Sequence, residues 1–171
     1  MKILLASLSL AVLLAACGKK MSDSEIMAAA QQAYDAKKVD TAIIYYQQLV
    51  ADYPESPRAP EALYLHGSIL QNDKKDYAQA VKVLAGIDAQ YTGTPYAGKG
   101  LFLGGFIAAN VLNDVPRAKQ LYEKYLASYS ALDANITASV KVELANLGKS
   151  AEEVLQSLQQ DTLQQPVAKG K

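Results

Sequence analysis

The chain of 171 residues balances 17 lysines and arginines against 17 aspartates and glutamates, is half apolar and carries 20% charged residues, a composition that fits one folded domain with a sizeable core. That near-neutral balance, 16 against 17 once residues 1–16 with Lys2 are set aside, excludes the basic face by which nucleic-acid binders displace phosphate counterions. One cysteine and one histidine exclude an internal disulfide and a zinc site built on paired histidines.

Residues 1–17 place one early cation, an apolar run and small residues ahead of Cys17, the pattern of an export signal. The run from Ile3 to Ala16 is too short for a comfortable membrane span and stands apart from the fold. The ending Leu14-Ala15-Ala16-Cys17 resembles the lipobox of bacterial lipoproteins. That resemblance implies cleavage before Cys17 and lipidation of its sulfur, with palmitate among the acyl chains. Gly18, where an inner-membrane retention signal of that family carries aspartate, implies the outer membrane. Each buried methylene adds about 0.8 kcal/mol, so several acyl chains make a lasting anchor. Residues 17–24 read as a lipidated tether, with Ser24 as a helix cap.

From Glu25 the apolar residues fall at helical spacing through Ile26, Ala29, Ala30, Ala33 and Tyr34. The pattern resumes through Ala42, Ile43, Tyr46, Leu49, Val50 and Tyr53. Lys37-Lys38 marks the turn, and Pro54 and Pro57 end the second helix. The plan recurs in 61–71 with 76–91 and in 98–112 with 115–130, at an interval of 38 residues: Ala42, Ala80, Ala118; Tyr46, Leu84, Tyr122; Tyr53, Tyr91, Tyr129. A fixed interval of this size marks a helical repeat array. Eleven tyrosines and no tryptophan suit helix seams whose polar tips stay wet. The stretch from Leu101 to Leu112 is apolar nearly all round. At that length it reads as a buried central helix held by its own partner, the second hairpin and the segment that follows. Next come 135–147, a stop at Gly148, and a helix opened by the capping box Ser150-Ala151-Glu152-Glu153. This pair covers the open face of the third hairpin, as terminal repeats must. Residues 159–171, rich in glutamine, read as a disordered tail.

Counted back from Pro54, the spacing of Ala30, Ala42, Tyr46 and Pro54 resembles the tetratricopeptide repeat, with Gly67 and Gly105 on the small site of the later first helices. The interval exceeds the usual 34 or so, and Thr92 and Ser130 stand where that repeat has proline. The resemblance implies an all-α, right-handed superhelical solenoid: repeats at about 25–57, 60–95 and 98–130, with a cap over 134–158. It also implies a concave groove lined by the first helices, so that Tyr34, Leu65, Asn72, Leu103 and Asn110 are the candidate partner-binding residues. Asn72 and Asn110 lie one interval apart and could bond a partner's backbone or finish their own helices. In layout, including Tyr53-Pro54-Glu55-Ser56-Pro57, the chain is similar to bacterial tetratricopeptide outer-membrane lipoproteins. In this it resembles the repeat lipoprotein of the β-barrel assembly machine and the periplasmic cell-division coordinator. It is shorter than the first and lacks a trimerising coiled coil like the second's.

No nucleophile stands at a recognisable spacing from His66, and no nucleophile elbow, phosphate loop or His-Glu-x-x-His occurs. His66 reads as a packed or groove-lining residue. Gly98 and Gly100 read as loosening a helix start, and Asp73-Lys74-Lys75-Asp76 as a charged turn. No catalytic residue, metal or cofactor is expected. The resulting expectation is a non-enzymatic scaffold, anchored in the outer membrane and facing the periplasm, that binds envelope proteins or peptides. A carrier of a small ligand such as a glycan is the alternative.

Overall fold

Three antiparallel helix pairs and two further helices follow one another along the chain in the computed structural model, which describes residues 20–164. The pairs are α1 (Asp23–Asp35) with α2 (Val39–Asp52), α3 (Ala59–Asn72) with α4 (Tyr77–Gln90) and α5 (Pro95–Asn110) with α6 (Val115–Tyr129); of α7 (Ala134–Asn146) and α8 (Ala151–Gln164), α7 alone packs over the third pair, where a covering helix pair was expected. Each helix from α1 to α6 packs on the next, giving an all-helical solenoid of the tetratricopeptide type without strands among the described residues. The odd helices also touch across hairpins, α3 with α5 and α5 with α7, which draws them together on one side of the stack.

The repeat explains the turns. Lys37, Lys75 and Asn113 sit at φ values of 61°, 55° and 52°, one interval apart, in the left-handed region that non-glycine residues seldom adopt. In each case the next residue donates its N–H back into the preceding helix: Lys38 to the Ala33 carbonyl, Asp76 to Leu70 and Asp114 to Ala108. This arrests one helix and launches the other. Asp76 and Asp114 then cap α4 and α6 by accepting from the N–H groups of Gln79 and Arg117, whereas Lys38 gives no side-chain cap. The first turn is one residue shorter than the other two. Ala30 therefore matches Gly67 and Gly105 in space, although it lies 37 residues before Gly67.

Those small residues set the distance between paired helices. A Cβ on Gly67 would lie 2.6 Å from Leu84, and one on Gly105 would lie 2.6 Å from the Tyr122 ring; Ala30 is fully buried. Gly100 corrects the reading of it as a loosened helix start: it lies inside α5, and its Cβ would come within 2.4 Å of the Leu84 carbonyl of α4. Gly98 likewise faces Tyr129 across the α5–α6 seam. The glycines of α5 serve close approach.

Helix ends differ from those read in the sequence because capping and proline act outside the apolar pattern. Ser22, not Ser24, caps α1 in a capping box with Glu25. Pro60 and Pro95 stand in the first turns of α3 and α5, where proline's missing N–H costs nothing. Both helices thus start earlier than their apolar residues. Gly148 adopts φ 79° after α7, and Ser150 with Glu153 forms the expected capping box. The helix it opens continues to Gln164, so residues 159–164 are helical where a disordered tail was expected.

Two buried clusters form one continuous interior. The first joins α1, α2 and α3 through Ile26, Ala30, Ala42, Tyr46, Leu49 and Ala62. The second runs from α3 to Val140 of α7 through residues such as Leu84, Leu101, Tyr122 and Tyr125; Ile43 and Tyr91 pack against both. As its composition implied, α5 lies in the middle, against α3, α4, α6 and α7. Among the described residues no helix is long and apolar enough to cross a membrane.

Candidate partner-binding face

The adjoining helices α3 and α5 repeat one exposed or half-buried row at the 38-residue interval. Leu65 corresponds to Leu103, Ser68 to Phe106 and Asn72 to Asn110. Spacings of three and four residues hold each row on one face of its helix. Of the five groove candidates, Leu65, Asn72, Leu103 and Asn110 are thereby brought onto one side of the molecule. Leu65 and Leu103 are half-buried at the base, and Asn72 is exposed at the helix end. Phe106, 37% exposed in the middle of α5, was not among the candidates. Its signal was present in the sequence, since the apolar all-round helix puts a large aromatic where the previous repeat has Ser68.

Two candidates are engaged within the protein. The Tyr34 hydroxyl donates to Asp73 Oδ2 at 3.2 Å, reaching from α1 to the turn after α3. The neighbouring carboxylate, by hydrogen bond and charge, holds that hydroxyl above its ordinary pKa. Tyr34 thus ties the first two hairpins together. Asn110 Nδ2 donates to the Phe106 carbonyl at 3.2 Å and to Glu143 Oε2 of α7 at 3.4 Å, which both finishes its own helix and fastens the cap. Glu143 also stands near the Tyr122 hydroxyl. Burial first, and then this carboxylate, push that hydroxyl well up. Asn72 makes no comparable link among the described residues.

His66 is 6% exposed, and burial pushes its imidazole down from the usual value, so it is neutral near pH 7. It follows Ala62 by one turn on the buried side of α3, as a packed residue. Asp73, Lys74, Lys75 and Asp76 form the charged turn, in which Lys74 pairs with Asp40 at 2.8 Å. Cys17 and the export-signal pattern lie outside the described residues.

An unforeseen polar cluster fixes the geometry behind this face. Asp88 of α4 is 3% exposed. It accepts from the Tyr129 hydroxyl and pairs with Lys124, both on α6, and the same hydroxyl accepts the Gly93 N–H at 3.0 Å. The loop before α5 is thereby pinned to the helix after it.

The tetratricopeptide repeat family matches residues 26–56, the first hairpin and the loop beyond it. No curated protein matches the chain significantly. The matched segment and the helix packing together support a tetratricopeptide-like helical solenoid. Such repeats generally mediate protein–protein interaction, and their fold is typically non-enzymatic.

Proposed function

We propose that this protein is a non-enzymatic scaffold of the bacterial cell envelope, anchored to the outer membrane through lipid on Cys17 and facing the periplasm. Its α3–α5 face holds a segment of another envelope protein, in the service of outer-membrane protein assembly. The observation that carries the binding role is the repeated row of Leu65, Asn72, Leu103 and Phe106, with a large aromatic kept at the surface between polar helix ends. Aromatic side chains, Phe included, are enriched at protein interfaces relative to the rest of the surface. The lipobox-like Leu14-Ala15-Ala16-Cys17 supports the anchor.

Crosslinked pull-downs from membranes test both parts. Intact protein should capture a defined set of envelope proteins, and Phe106→Ser with Asn72→Ala should release them without loss of fold. Cys17→Ala should abolish labelling by an alkyne-bearing palmitate and free the protein from the membrane fraction. Retention of partners by the groove variant would remove the binding claim, and a lipid-free wild type would remove the anchor.

A second reading rests on the cleft of about 840 Å³ between the α5–α6 turn and the cap, lined by Asn110, Asn113, Glu143 and Asn146. Its size and convergent amide groups suit a small polar ligand such as a glycan. Thermal stabilisation by an oligosaccharide with no protein present favours this reading.

A further inference from the structure

The loops joining the hairpins enclose a second cleft, of about 450 Å³, apart from the α3–α5 row. Its walls are the segment between α2 and α3 and the segment between α4 and α5. Pro54, Pro57, Pro60 and Pro95 line it together with Glu55, Tyr91 and Tyr96. Proline has no backbone N–H and a fixed φ, so these walls are stiff and add no backbone donors. Several of the remaining donors are committed, the Gln90 amide and the Tyr91 hydroxyl being the exceptions. The Ser56 hydroxyl donates to Asp23, and that of Thr94 donates to the Tyr91 carbonyl at 2.8 Å. The N–H groups of Ser56, Tyr91 and Thr94 bond to Tyr53, Ile87 and Tyr91 carbonyls.

The charge of the lining itself is a single carboxylate. Glu55 is exposed and makes no ion pair among the described residues, and no lysine, arginine or histidine lines the cleft. The adjacent Arg58 is occupied by Asp23 at 3.2 Å. The Glu55 carboxylate, after burial, raises the Tyr91 hydroxyl, and Glu61 does the same to Tyr96. The cleft thus joins the unpaired Glu55 carboxylate to proline and tyrosine walls; the Tyr96 ring already takes a cation, with Lys99 Nζ 5.0 Å from its centroid, which leaves the Tyr91 ring for a ligand. A guanidinium carries five donors and no acceptor, stacks on aromatic rings and brings an apolar stem that packs on proline and tyrosine.

The geometry points to this cleft as a docking site for an arginine side chain presented by an extended segment of a partner protein. It is a second contact, independent of the α3–α5 face.

The probe is a blocked Ala-Pro-Arg-Pro-Ala peptide titrated into the isotopically labelled full-length chain, followed by NMR. Citrulline replaces arginine in a control peptide of the same shape without charge. The arginine peptide should shift the amide resonances of Glu55, Tyr91 and Tyr96 with saturation below about 10 mM. Both the citrulline peptide and the Glu55→Gln protein should bind about fivefold more weakly, the scale of one partly exposed ion pair. Glu55 is exposed, so this variant keeps the fold, which the unchanged remainder of the spectrum will show. Equal binding of the two peptides, indifference to Glu55→Gln, or shifts confined to other helices would each overturn the assignment.

Discussion

The Tyr129 hydroxyl donates to the buried carboxylate of Asp88, joining the end of α6 to α4 across the loop that leads into α5. Burial alone would raise the Asp88 pKa. The Lys124 ammonium and the Tyr129 hydroxyl outweigh it and hold the carboxyl below its ordinary 3.8. Tyr129→Phe removes one donor from the buried carboxylate and the acceptor of the Gly93 N–H, and should cost about 1–3 kcal/mol in urea denaturation at pH 7, with the helical far-UV spectrum retained.

The pH dependence follows from the same pair. A carboxyl whose folded pKa is depressed contributes stability that is complete above its unfolded value and is lost as pH falls through the folded value. Stability of the wild type should therefore decline below about pH 4, as the Asp88 contribution is lost. Asp88→Asn should start lower and fall less steeply over that acid range, read from urea midpoints at each pH.

Two glycine substitutions should have opposite signs. Gly105→Ala drives a methyl into the fully buried Tyr122 ring, with a first contact at 2.6 Å, and should destabilise by about 1–3 kcal/mol. Gly86→Ala, in α4 with nothing within 4 Å of its Cβ, should stabilise by about 0.8–1 kcal/mol through helix propensity. Thermal melts of the two variants beside the wild type decide both.

The two asparagines one interval apart should separate. Asn110→Ala breaks the link to Glu143 and should speed amide exchange in α7 severalfold, at a cost of about 0.5–1.5 kcal/mol. Asn72→Ala touches only the exposed row and should leave stability within about 0.5 kcal/mol. Hydrogen exchange resolved by helix reads the difference.

The periodic small and aromatic residues made the array legible in the sequence, because close helix pairing demands them at fixed places: Ala42, Ala80 and Ala118 are all fully buried. Helix starts were less legible, since Pro60, Pro95 and Ser22 act by backbone chemistry that apolar periodicity does not sense. The Asp88 cluster had a faint signal. Positions one interval to either side are Val50 and Leu126, so a carboxylate interrupts an apolar column, but its partners Tyr129 and Lys124 meet it only through the hairpin crossing. Tyr34 was placed in the groove by the tetratricopeptide resemblance; its hydroxyl also reaches Asp73, a contact that depends on the angle between neighbouring hairpins and that no spacing within one hairpin reveals.

The most direct measurement is photo-crosslinking in living cells, with a benzophenone amino acid placed at Phe106 or at Ile44. Ile44 is 61% exposed on α2, away from the α3–α5 row. The account predicts a discrete adduct with an envelope protein from position 106 and none from position 44. An adduct from Ile44 alone, or the same adducts from both, would contradict the assignment of the α3–α5 face as the partner-binding surface.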